Sequence, residues 1–236
     1  MEGRQAGQSQ FWSKLQKNMA NIGMALTMPE IYTVLLFFLL NGLFSPSFGQ
    51  FSYFFMLNTA HITKFQFAMF GVISKACHIA GTMYYKAFLK DVETRTVILW
   101  STTICVFSTF THWALAMRWN IQLGISDIVF IIFTNVVFGS LILAMNILPS
   151  LALFAKITPP GIEGTIFAFL TGTWNFADGV LSPMVGAFLN KTFVGVTADN
   201  LTHYPTLCLF AFLCSFLGFL ILPLIPLKED IEKIQN

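Results

Sequence analysis

The sequence predicts an all-α integral membrane protein that crosses the bilayer six times. Of its 236 residues, 56% are hydrophobic and only 10% are charged, whereas soluble domains carry roughly 25% charged residues. The apolar residues form six segments, each at least as long as the about 20 residues that a helix needs to cross the hydrocarbon core. The predicted segments are 29–57, 65–88, 96–117, 128–155, 164–189 and 204–226.

The residues before the first segment predict a helix that lies in the plane of the membrane surface. Within 1–27, a polar tail precedes residues 11–26, where apolar side chains share one helical stripe and polar side chains take the other side. A helix packed on a protein partner is the alternative. The stripe consists of Phe11, Trp12, Leu15, Met19, Ile22 and Leu26. At the other end of the chain, residues 228–236 predict a charged tail.

The first apolar segment begins with a helix-start signal. Thr27 is a candidate cap, Pro29 stands in the first turn, and Glu30 lies near the positive end of the helix dipole. Further along, Gly42 and Pro46 predict a bend, because proline inside a helix removes a backbone hydrogen bond.

The cations are distributed unevenly between the two sides of the predicted bundle. Six crossings place both termini on one side, which holds nine Lys and Arg residues, against three on the other side. The nine are Arg4, Lys14, Lys17, Lys86, Lys90, Arg95, Lys156, Lys228 and Lys233, and the three are Lys64, Arg118 and Lys191. The positive-inside rule therefore predicts cytoplasmic termini, or matrix termini if the membrane is the mitochondrial inner membrane.

The fifth segment carries small residues at helical spacing. Steps of four and three residues stack side chains on one face of a helix, and a face of small residues lets a second helix approach closely in lipid. The residues predicted to pack in this way are Gly164, Ala168, Gly172, Gly179 and Gly186.

Two charged residues lie near the centres of their segments, Lys75 in the second and Asp178 in the fifth. A charge at the middle of a membrane helix costs at least about 2.5–3.5 kcal/mol, so both side chains are expected to face protein or water. The candidate roles are a substrate or proton site, an interhelical ion pair, or a structural polar contact. The set of substrate- or partner-facing candidates is Lys75, His78, Thr171, Asn175, Asp178 and Ser182.

Several classes of protein are excluded by missing motifs. The sequence contains no phosphate-binding loop, nucleophile elbow, zinc-protease helix or paired-cysteine motif, and its histidines lack metal-ligand spacing. It also has no basic patch suited to nucleic acid. We therefore expect no enzyme activity, no catalytic residue, no cofactor and no metal, and the expected partner common to all hypotheses is the lipid bilayer.

Three features resemble the folate–biopterin transporter family of the major facilitator superfamily. They are a Pro-initiated, Phe-rich segment from Pro29 to Leu57, a charged loop that follows the second segment in TMYYKAFLKDVETR, and the block PPGIEGTIFAFLTGTWNFADGVLSPMVGAFLN at 159–190. The resemblance covers most of residues 28–226. It implies the C-terminal six-helix half of a facilitator fold, with residues 11–26 matching the linker between halves.

The resemblance implies a half-size, transporter-like membrane protein. In a facilitator fold the substrate site lies between two six-helix halves. The chain is therefore expected to move a small anionic solute, such as a pterin, when assembled with a second half or with another copy of itself. The alternative is a structural, non-transporting accessory subunit held among other membrane subunits, for example in the mitochondrial inner membrane.

Overall fold

The computed structural model describes residues 19–20, 23, 27–158, 163–227 and 229. Within these residues the chain is helical and contains no strand, so the prediction of an all-α membrane protein is confirmed. The predicted interfacial helix, with Phe11, Trp12 and Leu15, lies outside the described residues except at Met19, Ala20 and Gly23. The predicted C-terminal tail lies outside them except at Glu229.

The described residues form eleven α-helices. They are α1 (Pro29–Phe44), α2 (Gly49–Asn58), α3 (Lys64–Tyr84), α4 (Thr94–Ala116), α5 (Trp119–Gln122), α6 (Asp127–Ile131), α7 (Phe138–Ile157), α8 (Glu163–Phe176), α9 (Ser182–Leu189), α10 (Tyr204–Ser215) and α11 (Leu217–Ile221). Wider π-helical turns continue or join them at Tyr85–Leu89 after α3, Ile132–Val137 between α6 and α7, Ala177–Leu181 between α8 and α9, and Asn190–Val194 after α9. A 3₁₀ turn, Leu222–Leu224, follows α11.

Four helical stretches in the described chain are long and apolar enough to cross a membrane. They are Pro29–Asn58, Thr94–Ala116, Asp127–Ile157 and Tyr204–Leu224. The remaining two long stretches are α3 with its π turn, and the run from α8 through α9. These two carry the mid-segment charges Lys75 and Asp178. Six crossings therefore remain a prediction from the sequence. Four of the six stretches are both long enough and apolar enough to cross a membrane.

The first segment is broken rather than bent. α1 ends at Phe44 and α2 begins at Gly49, and Pro46 stands in the break between them. Proline removes a donor from the helical ladder, and the residue before it avoids helical geometry, so the helix ends here. Gly42 has a different role from the predicted bend. A Cβ at this position would lie 2.6 Å from the carbonyl oxygen of Ala177, so Gly42 permits close contact with the turn after α8.

The core consists mainly of two apolar clusters at opposite ends of the bundle. The first surrounds Phe154 and includes Val34 and Leu170, and the second surrounds Tyr204 and includes Phe55 and Leu115. α4 packs against α7 and α10, α3 packs against α7, and α1 packs against α8 and the turn that follows it. The space between the two clusters is where the polar site lies.

Arg95 fastens the beginning of α4 to the end of the last helical stretch. Its Nη2 donates to the carbonyl oxygens of Pro223 at 2.9 Å and Ile225 at 2.6 Å, and its Nε donates to Ile225 at 3.0 Å. These carbonyls lie at a helix C-terminus and have no partner within their own helix. The planar guanidinium reaches both acceptors at once, which a lysine ammonium cannot reproduce.

We expect Arg95→Lys to lower the stability of the protein by about 1–3 kcal/mol, the range for charge-assisted hydrogen bonds. The melting temperature of the purified protein in detergent is the measurement. Lys191→Gln, at an exposed position, is the control and should leave the melting temperature unchanged. An equal melting temperature for Arg95→Lys and the wild type would show that this contact does not hold the two helices together.

Candidate functional site

The break between α1 and α2 faces the π turn between α8 and α9. The Ser47 backbone N–H donates to the Ser182 carbonyl oxygen at 3.1 Å, and the buried Ser182 hydroxyl donates to the Ser45 carbonyl oxygen. Irregular backbone in a membrane protein must find such partners inside the protein, because lipid offers none. Two interrupted helices therefore meet at the same level and satisfy each other.

Two glycines allow this contact. Gly42 lies against the backbone of Ala177, and a Cβ at Gly186 would overlap the carbonyl oxygen of Ser47. Both obstacles are backbone atoms, which cannot move aside as a flexible side chain could. The junction of the broken helix with the π turn thus depends on the absence of side chains at these two positions.

A cavity of about 280 Å³ lies beside this junction, between the two apolar clusters. In the described part of the chain, its lining includes Phe37, Phe38 and Ile98 of the first cluster and no member of the second. The polar lining residues are Asn41, Ser45, Thr102, Cys105, Asn146, Asp178 and Ser215. Asn41 and Asp178 are exposed, so the cavity opens to the molecular surface.

Two of the three hydroxyl groups in the lining donate within their own helices. Thr102 donates to the Ile98 carbonyl oxygen at 2.9 Å, and Ser215 donates to that of Phe212 at 2.6 Å. Among the described residues, no hydrogen-bond partner is found for the side chains of Asn41, Ser45, Asn146 or Asp178. These four side chains are therefore the ones that can bind water or a solute.

Asp178 gives the cavity its chemical character. It is the one charged side chain among the described residues that line it, and it stands in the π turn, a feature that often occurs at functional sites. A carboxylate there accepts hydrogen bonds, and the two amides can both donate and accept. Trp174 forms part of the apolar wall and stacks on Phe38, with ring centroids 6.0 Å apart. The carboxylate and the amides can therefore accept hydrogen bonds from N–H donors of a bound group.

The structure separates the predicted site residues instead of collecting them on one face. Lys75 is exposed on α3 and does not line the cavity, and the described residues contain no ion pair between Lys75 and Asp178. Asn175 is exposed and also lies outside the lining. The wider turn that begins at Ala177 changes the angular step along the helix, which separates Asn175 from Asp178.

The remaining predicted residues have structural partners or lie unpaired in the interior. Ser182 is bound to Ser45, as described above. The Nδ1 atom of His78 and the Oγ1 atom of Thr171 are buried and lack a hydrogen-bond partner. Both side chains are therefore places where bound water or a second polypeptide would be favourable, since an unpaired buried polar atom costs free energy.

The small residues of the fifth segment divide into two groups. Gly186 contacts Ser47, whereas a Cβ at Gly164, Gly172 or Gly179 would meet no atom within 4 Å. Ala168 and Gly172 line a shallow apolar groove together with α1. That these positions pack against another chain, or face a water-filled groove, stays a prediction.

Sequence reasoning missed Asn41 and Asn146 as site residues. Each amide interrupts a long apolar run, FFLLNGLF in α1 and LILAMNILP in α7. Charged residues are the most costly polar groups in a membrane segment, so the sequence argument selects Lys75 and Asp178. The cost is smaller for an amide side chain, so it does not select these two asparagines. No group of His, Cys, Asp and Glu suited to a metal ion occurs in the part of the chain that the structure describes.

Comparison with known proteins gives one consistent group of relatives. The folate-biopterin transporter of Synechocystis is 31% identical over 70% of this chain and 34% of its own length. Probable folate-biopterin transporter 4 of Arabidopsis thaliana is 24% identical over 92% of the chain and 44% of its own length. Folate transporter 1 of Plasmodium falciparum is 22% identical over 81% of the chain and 37% of its own length. No solved structure matches the chain.

The chain therefore spans less than half the length of these relatives. The sequence model of the BT1 family matches residues 6–236, which is nearly the whole chain. The resemblance to folate-biopterin transporters is confirmed, and so is the expectation of a membrane protein, whereas the six-helix half of a facilitator fold stays a prediction. The chain belongs to the BT1 family of folate-biopterin transporters.

Proposed function

We propose that this chain forms one wall of a solute path through a membrane, with Asp178 as its main contact to the solute. The observation that carries the proposal is the cavity beside the broken helix, where a carboxylate and two amides lack partners. Membrane carriers place their solute sites where helices are interrupted near the middle of the bilayer. Membership of the BT1 family supports the same reading.

A second six-helix half completes the path in this proposal, either as another copy of this chain or as a separate polypeptide. The support is the exposed mid-segment charge of Lys75 on α3, together with the exposed Asn175 on α8. Neither side chain is suited to contact with lipid, because of the cost of a polar group at that depth. A partner or a water-filled space between two halves would cover both.

The solute is a small anion of pterin type. Folate and biopterin appear in the names of the relatives. The Asp178 cavity matches one part of such a molecule. The carboxylate of Asp178 can accept hydrogen bonds from the ring N–H groups.

The alternative function is that of an accessory subunit in a larger membrane complex, without transport. The exposed Lys75 at the middle of α3 and the exposed Asn175 near the end of α8 favour it equally, because unrelated subunits could cover them. The two functions differ in what packs against these helices. If a second half packs there, we expect solute uptake that depends on Asp178. If unrelated subunits pack there, we expect no uptake.

We expect Asp178→Asn to reduce uptake at least tenfold, equivalent to about 1.4 kcal/mol of lost binding, without unfolding the protein. The asparagine keeps the shape of the side chain and removes its charge. The measurement is uptake of radiolabelled folate by proteoliposomes that contain the purified assembly. Asp91→Asn, in an exposed loop, is the matched control.

Two results would contradict the proposed function. One is full uptake by Asp178→Asn under conditions where Asp91→Asn is also fully active. The other is an absence of uptake by the wild-type assembly, for folate and for biopterin, while the isolated protein co-purifies with unrelated membrane subunits. The second result would establish the accessory role.

A further inference from the structure

A second, larger groove lies on the other side of α7. It has a volume of about 550 Å³, within the roughly 300–1,000 Å³ of ligand-binding pockets. Three elements form it: α3 with its π turn, α4, and α7. The lining residues are Gly81, Tyr84, Leu89, Trp100, Thr103, Ile104, Leu141, Ala144 and Met145. None of them lines the Asp178 cavity.

The groove offers almost no polar atom to a ligand. Thr103 carries the one aliphatic hydroxyl in it, and this hydroxyl donates to the Leu99 carbonyl oxygen of its own helix at 2.9 Å. Its floor is the contact of α3 with α7, where a Cβ at Gly81 would lie 3.0 Å from the Cβ of Ala144. The missing side chain at Gly81 and the small one at Ala144 create the depth of the groove. Such walls bind a ligand by apolar burial alone.

The rim and the end of the groove have the character of a membrane interface. Tyr84 and Trp100 stand at the rim and are 54% and 45% exposed, and these residue types are enriched where membrane meets water. Leu89 closes the end that leads to the loop before α4. Two exposed cations, Lys86 and Lys90, lie within three residues of Leu89 in the chain. Lys90 is 3.9 Å from Asp91 in a solvent-exposed pair, which leaves it accessible, since such pairs are weak.

We propose that this groove is a lipid site that holds an acyl chain of an anionic phospholipid. The chain would lie against Gly81, Ala144 and Met145, between the aromatic rings of the rim. The headgroup would lie beside Lys86 and Lys90, whose charge is complementary to it. Because α4 and α7 are membrane-spanning by length and composition, lipid is the apolar partner present along the whole groove. The proposal does not depend on solute transport.

The test uses a phosphatidylglycerol probe with a photoactivatable group in its acyl chain. The whole protein is placed in nanodiscs of phosphatidylcholine that contain a small fraction of the probe. After irradiation, labelled peptides are identified by mass spectrometry. We expect labelling of the groove to exceed several-fold that of Leu213 and Leu220, which are 54% and 72% exposed on α10 and α11.

Two substitutions on α4 separate the groove from general contact with lipid. Thr103→Phe fills the groove and keeps the backbone of α4, so it should abolish the excess labelling. Leu99→Phe adds a ring at an exposed position one turn away that does not line the groove, and it should leave the excess unchanged. Equal labelling of the groove and of α10, or an excess that survives Thr103→Phe, would overturn the proposal.

The headgroup is tested by a second comparison. A phosphatidylcholine probe of the same acyl structure should label the groove less than the phosphatidylglycerol probe, and Lys86→Gln with Lys90→Gln should remove the difference. Equal labelling by both probes in the wild type would refute the anionic preference.

Discussion

Gly186→Ala is expected to destabilise the protein strongly, whereas Gly172→Ala is expected to leave it intact. The added methyl group at position 186 would overlap the carbonyl oxygen of Ser47, at the junction of the broken helix with α9. Because the obstacle is backbone, α9 must move away from the break, and its hydrogen bond from Ser47 to Ser182 must lengthen or be lost. Overpacking of this kind costs typically about 1–3 kcal/mol, and more when backbone must shift.

The control is matched in chemistry and in secondary structure. Gly172 is helical, and a Cβ there meets no atom within 4 Å. Alanine is a better helix former than glycine by about 0.5–1 kcal/mol, so Gly172→Ala should be neutral or slightly stabilising in the isolated chain. Melting temperature and elution profile in detergent measure both variants. If the two variants melt at the same temperature, the contact of α9 with the break is not as close as the structure shows.

Position 172 also allows a test of contact between chains in the assembled protein. If position 172 packs against another chain, as the sequence predicts, Gly172→Leu should disrupt assembly without unfolding the isolated chain. Gly186→Ala should disrupt both. The pair thus distinguishes a glycine needed inside the chain from one needed between chains.

Much of the helical architecture could be predicted because its signals are local. Long apolar runs, Pro29 at a helix start and Pro205 at the start of the last segment are visible in the sequence. The fifth segment shows the limit of this reasoning. It was predicted to end at 189, but the π turn after α9 continues the helix to Val194. A change of hydrogen-bond pattern from one turn to the next has no signature in hydrophobic periodicity.

The site could be predicted only in part, because it depends on which helices become neighbours. Asp178 was singled out by the cost of a charge in the middle of the membrane, a property of one segment alone. Its association with Asn41 and Asn146 requires the packing of three segments, which no local pattern specifies. The same reasoning groups Lys75 with Asp178 as substrate- or partner-facing residues. In the structure, however, Asp178 lines the cavity and Lys75 is exposed on α3, outside it.

His112 connects four parts of the bundle inside the second cluster, around Tyr204. Its Nδ1 atom is 2.8 Å from the Asn135 Oδ1 atom, and its Nε2 atom is 2.6 Å from the Tyr204 hydroxyl. Asn135 donates its amide to Thr134, so its Oδ1 is an acceptor and Nδ1 of His112 carries the proton. Nε2 of the neutral ring then accepts a hydrogen bond from the Tyr204 hydroxyl. Ser52 lies 3.5 Å from the same nitrogen.

His112→Leu is expected to cost about 2–4 kcal/mol, because it leaves the Asn135 oxygen and the Tyr204 hydroxyl buried without their partner. Tyr204→Phe should cost only about 1 kcal/mol, since the Ser52 hydroxyl, 3.5 Å from His112 Nε2, can still donate to that nitrogen. The ring also stays stacked on Phe55. The control is His203→Leu, at an exposed position beside Tyr204, which should not change stability. Unfolding in detergent by heat and by denaturant measures all three variants.

The double variant decides whether these residues act as one network. In His112→Leu the buried Tyr204 hydroxyl has lost its hydrogen-bond partner, which destabilises the protein. Adding Tyr204→Phe removes this hydroxyl and should restore part of the lost stability. Coupled residues show such non-additivity, whereas separate contacts add. A double variant that is less stable than His112→Leu by the full cost of Tyr204→Phe would contradict the network. Partial recovery would show that α2, α4, α10 and the π turn before α7 are held together at this end by the pairing of polar groups rather than by apolar packing alone.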